Sequence, residues 1–225
     1  AEYLDLLNRH IVDGVIAGSH MLDFEEYQGV QGPIVALDRF LGENIPVVST
    51  NHKIGGKLAA EELVRNNCRC VLQIQGARVV DSPSHERHYE FERYMKKRGV
   101  TVYSHEMDWN DFDYGQYDVM ADMLMDKYPD IDGIFAVDMV AIACIRQLLK
   151  RKKKVPRDVK VVAYDGTYVA KVGVMNLTVV QQPIEELAKR AVNILLNMIQ
   201  GKKYHNKKVF YEPTLLLGDT TDDKE

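Results

Sequence analysis

Short runs rich in valine and isoleucine alternate along this chain with longer stretches whose apolar residues recur at helical spacing. The short runs lie at 11–17, 34–37, 47–49, 70–74, 100–103, 133–137, 159–164, 177–180 and 209–217. β-Branched residues fit a pleated, buried surface, so most of these runs read as strands. Between them, Ala59, Ala60, Leu63 and Val64 form one helical stripe, and Ala141, Cys144, Ile145, Leu148 and Leu149 form another. The longest stripe joins Ile184, Leu187, Ala188, Ala191, Leu195, Met198 and Ile199, with Pro183 at its start and Gly201 past its end. Glu185 and Glu186 at its start and Lys202 and Lys203 at its end complement the helix dipole. Alternating strand and helix requires a parallel sheet with right-handed crossovers, because a parallel partner is reached only by a long connection over one face. Strands without polar interruption agree, since such sheets are buried on both sides. The expected fold is α/β, built from doubly wound parallel sheet.

Ligands of these sheets bind beyond the carboxyl ends of the strands. Asp38, Asp138 and Asp165 each follow one of the apolar runs, and Ser19 and His20 follow another. A polar loop after Gly76 leads to Arg87. Acids at three strand ends, with an arginine after a fourth, point to a small polar ligand.

Composition narrows the class. Hydrophobic residues make up 46% and charged residues 28% of the 225, as in a folded globular chain. A net charge of −4 is the wrong sign for holding a phosphate backbone. The basic residues 150–154 end a helical pattern, where cations complement the helix dipole. No run reaches the roughly 18 apolar residues of a membrane span. Cys68, Cys70 and Cys144 form no disulfide framework, and they read as buried thiols of a reducing cytoplasm. His85 and His88 stand three apart rather than four, so they make no helical zinc pair and are expected to face solvent. No nucleophile–base pair or paired catalytic acids can be assembled, so no enzyme, metal or cofactor is expected.

Several segments resemble the lactose/galactose repressor family. The residues Pro46-Val47-Val48-Ser49-Thr50 lead to Gly55-Gly56-Lys57-Leu58-Ala59-Ala60-Glu61-Glu62-Leu63, similar to that family's first crossover and following helix. Arg87 with Phe91 resembles its arginine ahead of a Gly-Phe pair, with Glu90 in place of the glycine. Val155-Pro156-Arg157-Asp158-Val159-Lys160-Val161-Val162-Ala163-Tyr164-Asp165 and Leu177-Thr178-Val179-Val180-Gln181-Gln182-Pro183 match two more of its segments, in order. Among the family's members, the sucrose operon repressors of Gram-positive bacteria are the nearest in pattern. The family's usual Asn-Asp after a strand is Val137-Asp138 here, which removes a polar group.

The resemblance implies a periplasmic-binding-protein-like type I fold: two lobes joined by three crossovers, with effector held in the cleft. The first lobe would hold 1–50 and 182–205, the second 52–180 and 207–225, with crossovers near 50–52, 181–182 and 205–207. Residues 3–8 resemble the helix that follows the family's first strand, helix and second strand, so the first lobe reads as truncated at its start and the DNA-binding head as absent from this chain. The implied function is the sugar-binding, dimerising core of a cytoplasmic repressor. It would meet operator DNA through an N-terminal helix-turn-helix, pair as a homodimer, and answer to a neutral sugar of sucrose or fructose type. An extracytoplasmic sugar-binding protein of a transporter shares the fold and is the rival reading.

For such a ligand the expected contacts are specific. Asp165 would accept ring hydroxyls, unless it only caps the residues after it. Arg87 would donate its rigid fork, unless it is a surface arginine or part of a structural salt bridge. Trp109, the single tryptophan, would stack on the sugar face or close a core edge. Asp38, from the other lobe, would meet Arg87, receive a hydroxyl, or cap a turn. Asp138 either touches ligand or caps the helix after it, and Gln182 either reaches ligand or satisfies the crossover. Ser19 and His20 would line the rim.

Overall fold

The computed structural model describes residues 2–18, 27, 29–30, 32–79, 82–108, 114–173, 175–202, 204 and 207–221. Ser19, His20 and Trp109 fall outside the described residues. The chain divides into two compact units, one of Ala1–Asn51, Val79–His85 and Pro183–Glu212, the other of His52–Arg78, Glu86–Gln182 and Pro213–Glu225.

In the first unit four described strands run parallel in the order β1 (Val15–Ala17), β2 (Ile34–Leu37), β3 (Val47–Thr50), β9 (Lys208–Tyr211). Successive side chains of a strand point to opposite faces, and the core divides accordingly. Ile34, Ala36 and Val47 pack with Leu4 and Leu7 of helix α1 (Glu2–Asn8), while Val35 and Val48 pack with Leu187, Ala191 and Ile194 of α7 (Ile184–Ile199). The stripe read from sequence is thus the sheet-facing side of α7. Leu187 and Ala191 bury, Leu195 and Met198 are half-buried, and Ile184, Ala188 and Ile199 stay exposed, while Ile194, outside the stripe, is buried as well.

The second unit holds the larger sheet, in the order β10 (Thr214–Leu216), β8 (Thr178–Gln181), β7 (Lys160–Asp165), β6 (Gly133–Val137), β4 (Cys70–Gln75), β5 (Thr101–Glu106). All its pairings are parallel except that of β10 with β8. The same two-residue period sorts its core. Val71, Phe135, Val162, Tyr164 and Val180 face α2 (His52–Arg65) and α3 (Glu86–Lys97). Leu72, Ile134, Val161, Ala163 and Val179 face α4 (Tyr114–Lys127) and α5 (Asp138–Lys150). The helices α2 and α3 lie so close that a β-carbon on Gly56 would stand 2.0 Å from the Arg87 carbonyl oxygen. Glycine at 56 therefore sets where Arg87 enters the fold. Glu90, which takes the place of a glycine, is buried beside this contact and ion-paired with Arg93.

The apolar run 209–217 proves to be two strands. Pro213 has no N–H for a ladder and divides the run, so that β9 joins β3 while β10 closes the edge of the other sheet. This corrects the expected third crossover. The chain changes units at Glu212 and Pro213, not at 205–207, and residues 207–212 belong with the first unit. Residues 79–85 join it as well, held by the Ser82 hydroxyl, which donates to the Asp38 carbonyl at 2.9 Å. Among the described residues no helix is long and apolar enough to cross a membrane.

Candidate functional site

In the larger sheet the chain runs outward from β4 to β5 in one direction and from β6 through β7 to β8 in the other. Such a reversal opens a crevice at the carboxyl ends of the strands that flank it. Asp165 ends β7, Asp138 follows β6, and Arg87 opens α3 after the loop that leaves β4.

Asp165 has φ of +104° and Gly166 has φ of +71°. Two successive residues in the left-handed half of the map turn the chain sharply off the sheet. Only glycine fits the second place, since a β-carbon there would lie 2.7 Å from Gln181. At the head of this turn stands Asp165. Its Oδ1 accepts from Nε2 of Gln182 at 2.8 Å, and its carbonyl accepts from the Gln182 N–H at 3.0 Å. Arg87 Nη1 stands 3.9 Å from the same Oδ1, an ion pair beyond direct hydrogen-bond reach.

Arg87 is held from below and from behind. Its guanidinium lies 4.5 Å above the ring of Tyr164, the residue before Asp165. Its Nε donates to Nε2 of His88 at 3.1 Å. Since that nitrogen accepts, the His88 proton sits on Nδ1, which donates to Gln73 Oε1 at 3.1 Å. Gln73 in turn donates to Glu92 at 2.8 Å. His88 is only 3% exposed, which corrects the expectation of a solvent-facing histidine: it is the support of Arg87. The hydroxyl of Tyr164 lies 2.9 Å from Nδ1 of His52, itself buried at the first residue of the second unit.

Asp138 does not cap its own helix. It is the first residue of α5, at 2% exposure, and its carboxylate reaches the turn after β7. It accepts from the Thr167 N–H at 2.7 Å, the Thr167 hydroxyl at 2.8 Å and the Gly166 N–H at 3.4 Å. Burial pushes its pKa up to about 6, and the neighbouring Asp165 charge adds to the rise.

Asp38 lies in the first unit at φ of +50°. Its Oδ1 accepts from the Ser49 hydroxyl at 2.6 Å and from the Thr50 N–H at 3.2 Å, so it ties the end of β2 to the end of β3. Arg39 beside it is buried, and burial lowers its pKa. The three cysteines are free. Burial raises Cys68 and Cys144 to about 12 and also raises Cys70, which is half-exposed rather than buried.

Sequence reasoning singled out Asp165, Arg87, Gln182 and Asp138, and the structure brings these four together in one unit. It missed His52, Gln73, His88, Tyr164 and Thr167. His88 carried a signal, because it stands at helical spacing from the buried Phe91 and Met95. A separate cavity of about 510 Å³ lies over β5, lined by Arg78, Glu92, Lys96, Ser104 and Glu106 among others. Its charges largely satisfy one another, as in the pairing of Arg78 with Glu92 at 3.5 Å and of Ser104 with Glu92 at 2.7 Å. Among the described residues no cluster of His, Cys, Asp and Glu could hold a metal ion.

A carboxylate, a guanidinium and a side-chain amide at strand ends suit a ligand with several hydroxyls. Comparison with known proteins identifies a family. The family model for the periplasmic binding protein-like domain matches residues 60–221. The ribose operon repressor of Halalkalibacterium halodurans is 32% identical over 223 residues, 98% of this chain and 66% of that protein. The sucrose operon repressor of Streptococcus mutans is 32% identical over 199 residues, 88% of this chain and 60% of that protein. The chain thus spans less than two thirds of the length of these curated relatives. A solved periplasmic binding protein/LacI transcriptional regulator from Alkaliphilus metalliredigens, complexed with D-xylulofuranose, superposes with a TM-score of 0.87 at 27% identity, covering 99% of this chain and 82% of that one. The chain therefore belongs to the periplasmic-binding-protein-like domain family.

Proposed function

We propose that this chain is the sugar-sensing core of a cytoplasmic transcriptional repressor, and that a neutral sugar of ribose, sucrose or fructose type is its effector. The observation that carries the reading is the Asp165 carboxylate, held at the end of its strand by partners that a sugar can replace. Gln182 donates through a side-chain amide, and Arg87 waits 3.9 Å away. A sugar hydroxyl inserted there accepts from the guanidinium and donates to the carboxylate. Hydrogen bonds to charged groups are worth about 1.5–3 kcal/mol each, so two or three set specificity. Trp109, Ser19 and His20 remain part of the proposal as the stacking face and rim.

Sensing follows by linkage. A sugar that binds one conformational state more tightly raises its population, and operator DNA that prefers the other state is released by the same factor. Operator contact belongs to a helix-turn-helix carried by the full-length protein, which we propose acts as a homodimer on a two-fold symmetric site. Val119 and Met123, 71% and 50% exposed on one face of α4, support a paired surface. The chemistry proposed is binding, with no bond made or broken.

Calorimetry against ribose, sucrose, fructose, glucose and their phosphates tests the reading. One neutral sugar should bind saturably, and Asp165→Ala or Arg87→Ala should weaken it about 10- to 100-fold, as loss of charged hydrogen bonds requires. Preference for a phosphorylated sugar, or turnover of any sugar, would remove it. Operator release by that sugar from the full-length protein separates repressor from transport protein.

A further inference from the structure

A buried carboxylate without a cation needs a reason, and Asp138 has one in the turn it holds. Asp165 and Gly166 both adopt positive φ, which a turn of ordinary residues does not keep by itself. The Asp138 carboxylate crosses from the start of α5 and takes three donors from the two residues that follow Asp165. Of the other anchors of the turn, Gln182 acts twice on Asp165 itself, and Gln181 Nε2 donates to the Gly166 carbonyl at 3.3 Å, which leaves the Gly166 and Thr167 N–H groups to Asp138. Asp138 is thus the fixed end of the turn and Asp165 its working end. The charge acting on Asp138 is that of Asp165, which opposes ionisation, and the remaining neighbours are the donors of Gly166 and Thr167.

We propose that Asp138 is the positioning residue for Asp165: its carboxylate clamps the Gly166–Thr167 turn and so fixes the acid that receives the sugar. The proposal rests on the sugar-binding reading for its consequence, though not for the clamp. Ionised, Asp138 accepts from all three donors. Protonated, one of its oxygens carries a hydrogen among donors that also carry hydrogens, and the clamp loosens. With burial raising its pKa to about 6, that change falls between pH 5 and pH 7. The sign for stability is opposite to the sign for binding. A raised folded pKa adds stability that is complete below the ordinary value of 3.8 and is lost as pH rises through about 6. At pH 8 the fold therefore keeps an unfavourable charge in order to hold the turn.

Two measurements on the 225-residue chain decide the matter. In the first, the Gly166 and Thr167 amide signals are followed by nitrogen–proton correlation from pH 5 to pH 8. They should share one titration midpoint near 6, absent in Asp138→Asn. In the second, melting and sugar affinity are compared at pH 8. Asp138→Asn should melt no lower than the wild type yet bind its sugar about tenfold more weakly, and its affinity should be flat where the wild type's falls below pH 6. A residue with a merely structural role gives the reverse, a lower melting point with unchanged affinity and pH profile, and that result overturns the proposal. Amides that do not titrate overturn it as well. If ribose, sucrose, fructose and glucose all fail to bind the wild type, the sensing reading falls, while the amide titration still decides whether Asp138 is the clamp.

Discussion

Asp38 and Asp165 obey the same rule of the fold and end in opposite circumstances. Asp38 follows a parallel strand and Asp165 ends one, and each has positive φ, +50° for Asp38 and +104° for Asp165. Asp38 spends Oδ1 on a buried hydroxyl and a backbone N–H at the end of the neighbouring strand, the groups of Ser49 and Thr50. Asp165 faces a side-chain amide and a guanidinium that stands off at 3.9 Å. Backbone donors cannot leave, whereas an amide can rotate and a guanidinium can shift to a ligand. A strand-end acid is therefore structural or functional according to whether its partners can be exchanged.

That contrast is open to attack by substitution. Asp165→Asn should weaken sugar binding about 100-fold, close to 2.7 kcal/mol, while urea unfolding stays within about 1 kcal/mol of the wild type. A large loss of stability would make Asp165 another Asp38. Asp38→Ala should do the converse. It removes the carboxylate that accepts from the Thr50 N–H and takes one of two acceptors from the Ser49 hydroxyl, and it should cost about 1–2 kcal/mol in urea unfolding with a smaller change in sugar affinity. Arg87→Lys keeps the charge but loses the fork and the face that covers Tyr164, so calorimetry should show affinity lower by about tenfold. Gln182→Ala should have the smallest effect, under about fourfold in Kd, because losing the amide both frees the carboxylate and loosens it. A change as large as that of Asp165→Asn would mean that Gln182 itself holds the sugar.

Much of this was legible from sequence for a physical reason. Two periods, one of 2 and one of 3.6, are written into strands and helices by the geometry of burial. Ile34 and Ala36 against Val35, or Leu72 against Val71, show the first directly. Strand ends single out Asp165, and the loop after another strand singles out Arg87, as candidates that the structure places near one another. Residues 207–212 show the limit, because a run of apolar residues says that a strand exists and not which sheet receives it. Pro213 was visible, but its consequence depends on a pairing with β3 that is distant in sequence. The supports of Arg87 were hidden differently. His52, Gln73 and His88 are polar residues on buried faces, and a polar residue reads as surface until its partner is known. For Asp138 the sequence offers a ligand contact or a cap for the helix it begins, and not the clamp, since the donors it serves lie 28 and 29 residues further along the chain.

The most direct test of the account is a crystal structure of the chain with the sugar that calorimetry selects. The account predicts a ring hydroxyl within about 3 Å of both the Asp165 carboxylate and the Arg87 guanidinium, with the Asp38–Ser49 hydrogen bond unbroken. A sugar seated elsewhere, with Arg87 and Asp165 closed directly on one another, would contradict it.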